Sequence, residues 1–342
     1  MAKAHKNLKI KDVKSDKAFE KGIEKLRKAF GPEIVNTLSA NLKRNGTQKV
    51  KWIKSGCVGF DQMTGGGFPR GRIVELFGGE SSGKTTLLLT TIALSQKKGL
   101  RCGFVDAEHS LDPKYVMKLG VDMDKLVYVA PLHGEQALEA TRTLVEMNLD
   151  FIVVDSVAAL VPKAELEAEM EADTMGLQAR MLGKALRKIK GEVKKSVSSV
   201  VFINQTRDKF NVRFGDKTTT PGGKALKFFA ELRIQLTHMG KIRESKVHTA
   251  NRTKVLVKKT KVGFQGSQCE FVINFGKGID KLLSLWETLH VLELAESHTK
   301  NGKKRIYVAD AKFIDYDDFC DRMKSDKDLK RSLMKMIRKH GN

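Results

Sequence analysis

The chain has 342 residues, enough for one large core with a smaller appended domain. With 41% hydrophobic and 30% charged residues it has the composition of a globular protein, and no apolar run approaches the ~20 residues that a membrane helix requires. Lysine and arginine number 63 against 40 acidic residues, a formal charge of +23 that favours a polyanionic partner such as nucleic acid, with solubility alone as the alternative.

The cysteines and the first residues bear on the cellular compartment. Four cysteines lie far apart without a CxxC pair, so they fit neither a zinc site nor a disulfide framework. The N-terminal residues form a basic arm and lack the apolar stretch of a secretory signal. We therefore expect a cytoplasmic protein with reduced cysteines.

The first predicted element is an amphipathic helix over residues 17–30, where Phe19, Ile23, Leu26 and Phe30 recur at helical spacing. From about residue 72, short apolar runs alternate with amphipathic segments. This alternation predicts an α/β fold with a mostly parallel central sheet flanked by helices. The predicted strands are 73–77, 102–105, 126–129, 151–154 and 200–203, and the predicted helices are 84–97, 135–147 and 177–195.

The last third of the chain changes in pattern. Apolar runs at 232–236, 255–257 and 271–273 have shorter connections and are predicted to extend the sheet antiparallel. Beyond Gly278 a leucine-rich helix is predicted, and Asn301-Gly302 is typical of a hairpin turn. A basic helix with apolar positions at Leu329 and Leu333 closes the chain. We predict that residues 279–342 form a small, basic α+β domain.

The most specific local motif is GGESSGKT at residues 78–85, which fits the phosphate-loop pattern G-x-x-x-x-G-K-[ST]. It follows a predicted strand and precedes a predicted helix, so backbone N–H groups and the helix dipole can converge on phosphate oxygens. Lys84 is expected to reach the β- and γ-phosphates of ATP, and Thr85 to ligate Mg²⁺. The predicted loop residues are Gly78, Gly79, Glu80, Ser81, Ser82, Gly83, Lys84, Thr85 and Thr86.

Two carboxylates follow predicted strands and complete the predicted nucleotide site. Asp155 ends the apolar run 151–154 and is expected beside the phosphate loop, where it can hold Mg²⁺ or its water shell. Glu108 follows the strand 102–105 and is the candidate general base for the attacking water. Taken singly, each could be only a strand end or a solvated loop acid; the neighbouring phosphate loop favours the catalytic interpretation.

Five motifs together resemble the RecA recombinase family, in the order and spacing of that family. They lie at residues 78–86, 106–113, 153–163, 201–207 and 218–227. The resemblance implies a RecA-type P-loop ATPase core over residues 46–278, with residues 1–45 as an arm and helix for contact between protomers. It also implies homologous recombination and repair within the DNA-damage (SOS) response. Gly79 stands where the family usually has proline, and the tail is basic rather than acidic, which favours a phage or mobile-element version.

The resemblance also implies roles for individual residues of the nucleotide site. Asp112 and Tyr115 resemble the residues that bind adenine, and Glu108 resembles the catalytic glutamate. Gln205 is similar to the residue that senses the γ-phosphate, a role that suits a neutral amide. Lys259 and Lys261 resemble the pair that reaches the nucleotide of the neighbouring subunit, although each could be simply an exposed strand residue.

Two segments resemble the DNA-binding loops of the family, the first near residues 165–178 and the second over residues 206–224. The second, at about 19 residues, is longer than a simple connection in a compact domain requires. Their basic side chains can bind phosphates, and Met175 and Phe210 can stack on bases, a contact worth about 1–3 kcal/mol per base. The predicted DNA-binding residues are Met175, Arg180, Arg187, Arg207, Lys209, Phe210, Asn211, Val212, Arg213, Thr219, Gly222, Gly223 and Lys224.

The sequence thus predicts a DNA-dependent ATPase and recombinase. It would use ATP and Mg²⁺, form a helical filament on single-stranded DNA, and pair that strand with homologous double-stranded DNA. Two alternatives stay open at this point. A RecA-fold motor such as a ring helicase or translocase would normally carry an added module that is not visible here. A non-catalytic coating protein would not need the intact Lys84, Glu108 and Gln205.

Overall fold

The computed structural model describes residues 14–32, 35–36, 50–169, 176–208, 218–244, 247–263, 265–300 and 303–340. The chain divides into two compact units, Met1–Val50 and Lys51–Asn342. In the described ranges, no helix is both long and apolar enough to span a bilayer.

The first unit contains one long helix, α1 (Lys14–Phe30), which confirms the predicted N-terminal helix. Gly31 follows it with a positive φ of 92° and donates its N–H to the Arg27 carbonyl at 2.8 Å. This is the left-handed ending that glycine allows. Phe19, Leu26 and Phe30 are exposed, so the apolar stripe of α1 has the amphipathic character that the spacing predicted.

The second unit is built on a nine-stranded sheet with the strand order β13-β12-β11-β10-β3-β7-β6-β4-β5. The large-sheet strands are β3 (Arg72–Gly78), β4 (Cys102–Asp106), β5 (Leu126–Val129), β6 (Phe151–Asp155), β7 (Ser199–Gln205), β10 (Leu232–Glu244), β11 (Val247–Thr260), β12 (Gln268–Asn274) and β13 (Gly278–Ile279). Short pairs are made by β1 (Trp52–Ile53) with β2 (Phe68–Pro69), and by β8 (Arg207–Asp208) with β9 (Thr218–Thr219).

Helices connect these strands and cover both faces of the sheet. The helices of the second unit within the described ranges are α2 (Val58–Met63), α3 (Lys84–Gln96), α4 (Pro113–Lys118), α5 (Gly134–Glu146), α6 (Lys163–Leu166), α7 (Leu177–Lys195), α8 (Ala225–Phe229), α9 (Lys281–Val291), α10 (Tyr316–Ser325) and α11 (Lys327–His340).

The sheet is mostly parallel, which confirms the predicted α/β class. Strands β10, β3, β7, β6, β4 and β5 run parallel to one another, whereas β11 is antiparallel to β10, β12 to β11 and β13 to β12. The prediction that the run 232–236 extends the sheet antiparallel was therefore wrong, because Leu232 pairs with Val74 in a parallel register. Helix α8 lies between β7 and β10 and returns the chain to the starting edge, as a parallel crossover requires.

Alternation along the central strands divides the core into two layers. Val74 and Leu76 of β3 pack with Leu88 of α3 on one face. Ile73 packs with Leu182 of α7 on the other. Since every second side chain of a strand points to the same face, β3 contributes side chains to both layers. It is also the fifth of the nine strands, so the phosphate loop begins at the centre of the sheet.

The C-terminal segment has an apolar cluster of its own, centred on residues such as Leu289, Phe313 and Phe319. Its three strands are β14 (Ala295–Lys300), β15 (Lys303–Val308) and β16 (Ala311–Phe313). Strands β14 and β15, which flank the turn predicted at Asn301-Gly302, pair antiparallel, and their last pair is Lys300 with Lys303. The division of residues 51–342 at residue 279 stays a prediction.

Candidate nucleotide and nucleic-acid site

The phosphate loop leaves β3 at the edge where β7 and β10 also pass, since Gly78 pairs with Gln205 on one side and Leu236 on the other. A Cβ atom at Gly78 would lie 2.1 Å from the Leu236 carbonyl oxygen, so only glycine fits there. Ser81 and Gly83 have positive φ angles of 54° and 87°, which curl the loop before α3 begins at Lys84. This geometry aims successive backbone N–H groups into one concavity, as phosphate binding requires.

The Lys84 ammonium lies inside this loop. Its Nζ donates to the carbonyl oxygens of Gly78 at 3.2 Å and Gly79 at 2.7 Å. Burial lowers the pKa of Lys84, while the negative charges of Asp155, Glu108 and Glu80 act in the opposite direction. A partly desolvated cation facing carboxylates and loop carbonyls can move onto the more negative oxygens of a triphosphate.

Thr85 and Asp155 form the predicted metal pair. The Thr85 Oγ1 donates to Asp155 Oδ2 at 2.9 Å across the gap between α3 and β6. Burial raises the pKa of Asp155 to about 7; Glu108 and Asp106 raise it too, whereas the hydrogen bond from Thr85 and the Lys84 charge oppose this. Unbalanced negative charge next to a hydroxyl and a carboxylate oxygen is the donor set that Mg²⁺ prefers, so the residues present fit this ion.

Glu108 follows β4 and lies over the same edge. The backbone N–H groups of Ala107 and Glu108 both donate to the Asp155 carbonyl, at 2.7 and 3.2 Å, which fixes the start of this segment against β6. The Glu108 side chain is exposed, and its Oε1 accepts hydrogen bonds from Ser156 Oγ and, at 3.1 Å, from Gln205 Nε2. The candidate base and the candidate γ-phosphate sensor are therefore in direct contact.

Asp106 organises the segment that carries Glu108, a role not predicted from the sequence. Its carboxylate accepts from the N–H groups of Ser110 and Leu111, and from the Tyr128 hydroxyl at 3.0 Å. Tyr128 lies on the neighbouring strand β5, so a contact across the sheet shapes the loop. The apolar run 126–129 carried no signal for this contact.

The other end of the site is built around α4. Asp112 caps this helix by accepting from the Lys114 N–H at 2.9 Å, and the Tyr115 hydroxyl is 2.8 Å from Thr86 Oγ1. A cavity of about 380 Å³ joins the loop residues to Tyr115, Asn251 and Phe275. The structure thus brings Tyr115 to the phosphate loop, whereas the contacts of Asp112 are within its own helix; the adenine-binding role of both residues stays a prediction.

Sequence reasoning missed two residues of this cavity, Asn251 on β11 and Phe275 just after β12. Within the described ranges, Asn251 Oδ1 is buried without a hydrogen-bond partner. Phe275 is an exposed aromatic ring on the same cavity. An aromatic face and an unpaired acceptor are the groups that a nucleobase with an amino group could use. Both come from strands distant in sequence, and no local motif marks them.

Lys259 and Lys261 lie on and just after β11. Lys259 Nζ donates to the carbonyl oxygens of Lys227 at 2.8 Å and Phe228 at 3.1 Å, at the end of α8. Burial lowers the pKa of Lys259, and the nearby charges of Lys261, Arg233 and Lys190 lower it further. Lys261 is exposed. The contacts of Lys259 are with α8, and the role of both lysines toward a neighbouring nucleotide stays a prediction.

The described residues at the two ends of the second DNA-binding segment pair with each other, and the first of them contacts the phosphate loop. Arg207 pairs with Thr219, and Thr206 donates its N–H to the Gly78 carbonyl at 3.2 Å. Gly222 and Gly223 have φ angles of 83° and 70°; a Cβ at Gly222 would lie 2.8 Å from Leu182 of α7. The first end of this segment is therefore anchored at the phosphate loop and the last end against α7.

The remaining predicted DNA-binding residues divide into two groups. Arg180 and Arg187 are exposed on α7, Lys224 is exposed at the start of α8, and Thr219 accepts a hydrogen bond from Lys227. Met175 and residues Lys209, Phe210, Asn211, Val212 and Arg213 lie outside the described residues, so their DNA contacts stay predictions.

Comparison with known proteins gives consistent matches. The sequence model of the RecA N-terminal domain matches residues 17–280. Protein RecA of Sinorhizobium medicae is 47% identical over 273 residues, 79% of this chain and 75% of the relative. Protein RecA of Aquifex pyrophilus is 45% identical over 311 residues, 90% of this chain and 87% of the relative. The crystal structure of the RadB recombinase aligns with a TM-score of 0.51 at 21% identity, over 66% of this chain and 98% of that chain, a likeness of fold.

Proposed function

Because the chain belongs to the RecA family of DNA-dependent ATPases and recombinases, we propose that it assembles as an ATP-dependent helical filament on single-stranded DNA and exchanges that strand with a homologous duplex. One observation carries the proposal. Gln205 donates a hydrogen bond to the candidate base Glu108 and directly precedes the second DNA-binding segment in the sequence. The hydrolytic site and the proposed DNA-binding segment therefore meet at one side chain.

Each residue of the nucleotide site has a role in the proposed hydrolysis of ATP. The backbone N–H groups of residues 79–85 and the Lys84 ammonium bind the phosphate oxygens and stabilise the charge that develops on them. Thr85 and Asp155 hold Mg²⁺, which when bound neutralises charge on the β- and γ-phosphates. Glu108 accepts a proton from the attacking water, the new P–O bond forms at the γ-phosphorus, and the bond to the β–γ bridging oxygen breaks to give ADP and phosphate.

Gln205 couples this chemistry to DNA binding. With a γ-phosphate present, the Gln205 amide can donate to it instead of to Glu108, which shifts the start of the DNA-binding segment; after hydrolysis the amide returns to Glu108. Two ligands that favour the same arrangement of one segment strengthen each other's binding by the same factor. ATP should therefore raise DNA affinity, and DNA should raise ATP affinity and turnover.

The arrangement of Lys259 and Lys261 supports completion of the site by a second protomer. Two cations at the C-terminal end of β11, the first with a pKa lowered by burial and by its cationic neighbours, would gain from contact with the phosphates of an adjacent subunit. Hydrolysis would then require self-association, which DNA promotes by aligning protomers. This explains in physical terms why turnover should depend on DNA.

ATP turnover with and without single-stranded DNA, followed by joint-molecule formation with homologous duplex, tests the proposal. A recombinase should show at least a tenfold stimulation by DNA and should form joint molecules. Turnover that does not respond to DNA would refute the coupling, and DNA-stimulated turnover without joint molecules would favour a motor. No comparison supports the ring-helicase alternative, and electron microscopy with ATP and DNA would distinguish a helical filament from a closed ring.

A further inference from the structure

A buried carboxylate in the central strand has no part in the nucleotide chemistry described above. Glu75 of β3 has no exposed surface, and it shares the sheet face of Ile73 because side chains alternate along a strand. Burying an ionised carboxylate is costly unless it is paired and hydrogen-bonded. An alanine or valine would pack here at no such cost, so the partners of Glu75 indicate what the charge does.

Each carboxylate oxygen of Glu75 has its own partner. Oε2 accepts a hydrogen bond from Arg233 Nε, in the facing position of β10. Oε1 accepts from Asn204 Nδ2 at 3.0 Å. The Arg233 guanidinium also stacks over the ring of Phe77, 4.7 Å from its centroid. The ion pair with Arg233 therefore holds the carboxylate in place, and its other oxygen, Oε1, faces Asn204.

Asn204 lies directly before the sensor Gln205 and is fully buried. Its Nδ2 donates both to Glu75 and, at 3.2 Å, to the carbonyl oxygen of Pro221. Its Oδ1 accepts the Gln205 backbone N–H at 3.0 Å. One amide group thus joins the central strand, the backbone of the sensor and the far end of the DNA-binding segment.

This set of hydrogen bonds joins the candidate catalytic base to the DNA-binding segment. On one side the Gln205 side chain reaches Glu108 at 3.1 Å. On the other side Pro221 precedes Gly222, whose left-handed backbone lies against Leu182 and Val157 with no room for a side chain. A continuous chain of hydrogen bonds therefore runs from the Gln205 backbone through the Asn204 amide to the Pro221 carbonyl.

We propose that Glu75, held by Arg233, is a positioning residue that fixes the orientation of the Asn204 amide and so makes the sensor and the C-terminal end of the DNA-binding segment move together. An amide can rotate by half a turn and exchange its oxygen and nitrogen. The Pro221 carbonyl and the Glu75 carboxylate accept only and the Gln205 N–H donates only, so together they admit one orientation, and Glu75 is the side chain that holds the amide in it when the two backbone partners move. This role rests on the proposed function. It assigns to Glu75 the coupling between ATP and DNA, and neither nucleotide binding nor the hydrolytic step.

The decisive variant is Glu75→Gln, measured in the full-length protein. Glutamine keeps the size of the side chain, but with one oxygen it satisfies either Arg233 or Asn204 and presents a donor to the other. We expect ATP turnover without DNA to stay within twofold of the wild type. The stimulation by poly(dT) should fall at least fivefold, and the increase in poly(dT) affinity on exchanging ADP for ATP should fall by a similar factor.

Asp150→Asn is the matched control, because Asp150 is also a largely buried carboxylate paired with an arginine, Arg70. It directly precedes β6, at the opposite end of that strand from Asp155 and the phosphate loop. It should keep the wild-type stimulation, even where its melting temperature falls as much as that of Glu75→Gln. A lost stimulation in both variants would show a general effect of stability and overturn the proposal.

Should Glu75→Gln fold poorly, Glu75→Met with Arg233→Met removes both charges together, an exchange that buried ion pairs often tolerate. This variant should be folded and still lack the coupling. Wild-type stimulation in either folded variant overturns the role of Glu75. A wild-type protein that itself shows no stimulation by DNA would instead refute the proposed function, so the two failures are distinguishable.

Discussion

Replacing Glu108 tests the hydrolytic site most directly, because Glu108 Oε1 has two identified donors, Ser156 and Gln205. In Glu108→Gln an amide oxygen can accept both hydrogen bonds, so the geometry is kept while the basicity is lost. A positioned general base contributes about 10²–10⁴-fold to a rate, which at 1.36 kcal/mol per factor of ten corresponds to about 3–5 kcal/mol of activation free energy. ATP turnover should fall by this factor, while MgATP and DNA binding persist.

The assay is phosphate release at saturating MgATP and single-stranded DNA, together with the lifetime of filaments on DNA. Since Glu108 is exposed, its replacement should leave the free energy of unfolding within about 0.5 kcal/mol of the wild type. A surface variant on α5, Glu139→Gln, is the control and should turn over normally. Turnover of Glu108→Gln within about threefold of the wild type would show that another group activates the water.

Three further variants test the phosphate loop, the anchor of the DNA-binding segment and a buried acid. Lys84→Ala should weaken binding of a fluorescent MgATP analogue at least tenfold, because charge-assisted hydrogen bonds contribute about 1.5–3 kcal/mol; unchanged affinity would contradict the assignment. Gly222→Ala, at φ 83° and 2.8 Å from Leu182, should lower the free energy of unfolding in urea by about 2 kcal/mol or more, whereas Gly191→Ala, in open space on α7, should not. Burial raises the pKa of Asp61 to about 6. The carboxyl therefore stabilises the folded state fully below its unfolded pKa and loses this contribution as pH rises through 6, so between pH 4 and 7 the wild type should lose about 2 kcal/mol more than Asp61→Asn; equal pH profiles would refute this.

Elements with a strong local signal were predictable from the sequence. The predicted helix 177–195 coincides with α7 (Leu177–Lys195), and the predicted strand 126–129 coincides with β5 (Leu126–Val129). The apolar residues of α7 repeat at the helical period of 3.6 residues, and β5 is a short uninterrupted run of apolar residues, so each pattern lies in neighbouring residues. The phosphate loop was predictable for a similar reason, because its function depends on consecutive residues.

The direction of a strand within the sheet was harder to predict from the sequence. The run 232–236 was placed in the sheet correctly but with the wrong direction, because direction depends on how the preceding connection crosses the sheet. Helix α8 is only five residues long (Ala225–Phe229), which is too short for a helical period to stand out. Because that helix was not predicted, the connection from β7 to β10 resembled the short loop that joins antiparallel strands.

The sequence by itself determined the class of fold, the phosphate loop and the strand-end acids that accompany it, since each is encoded by neighbouring residues. Only the tertiary structure decided which distant side chains meet: Asn251 and Phe275 at the base end, Tyr128 behind Asp106, and Glu75 with Asn204. Glu75 and Asn204 lie 129 positions apart and touch because β3 and β7 are adjacent. Strand order is set by the combined packing of the whole sheet, and no local pattern of residues contains it.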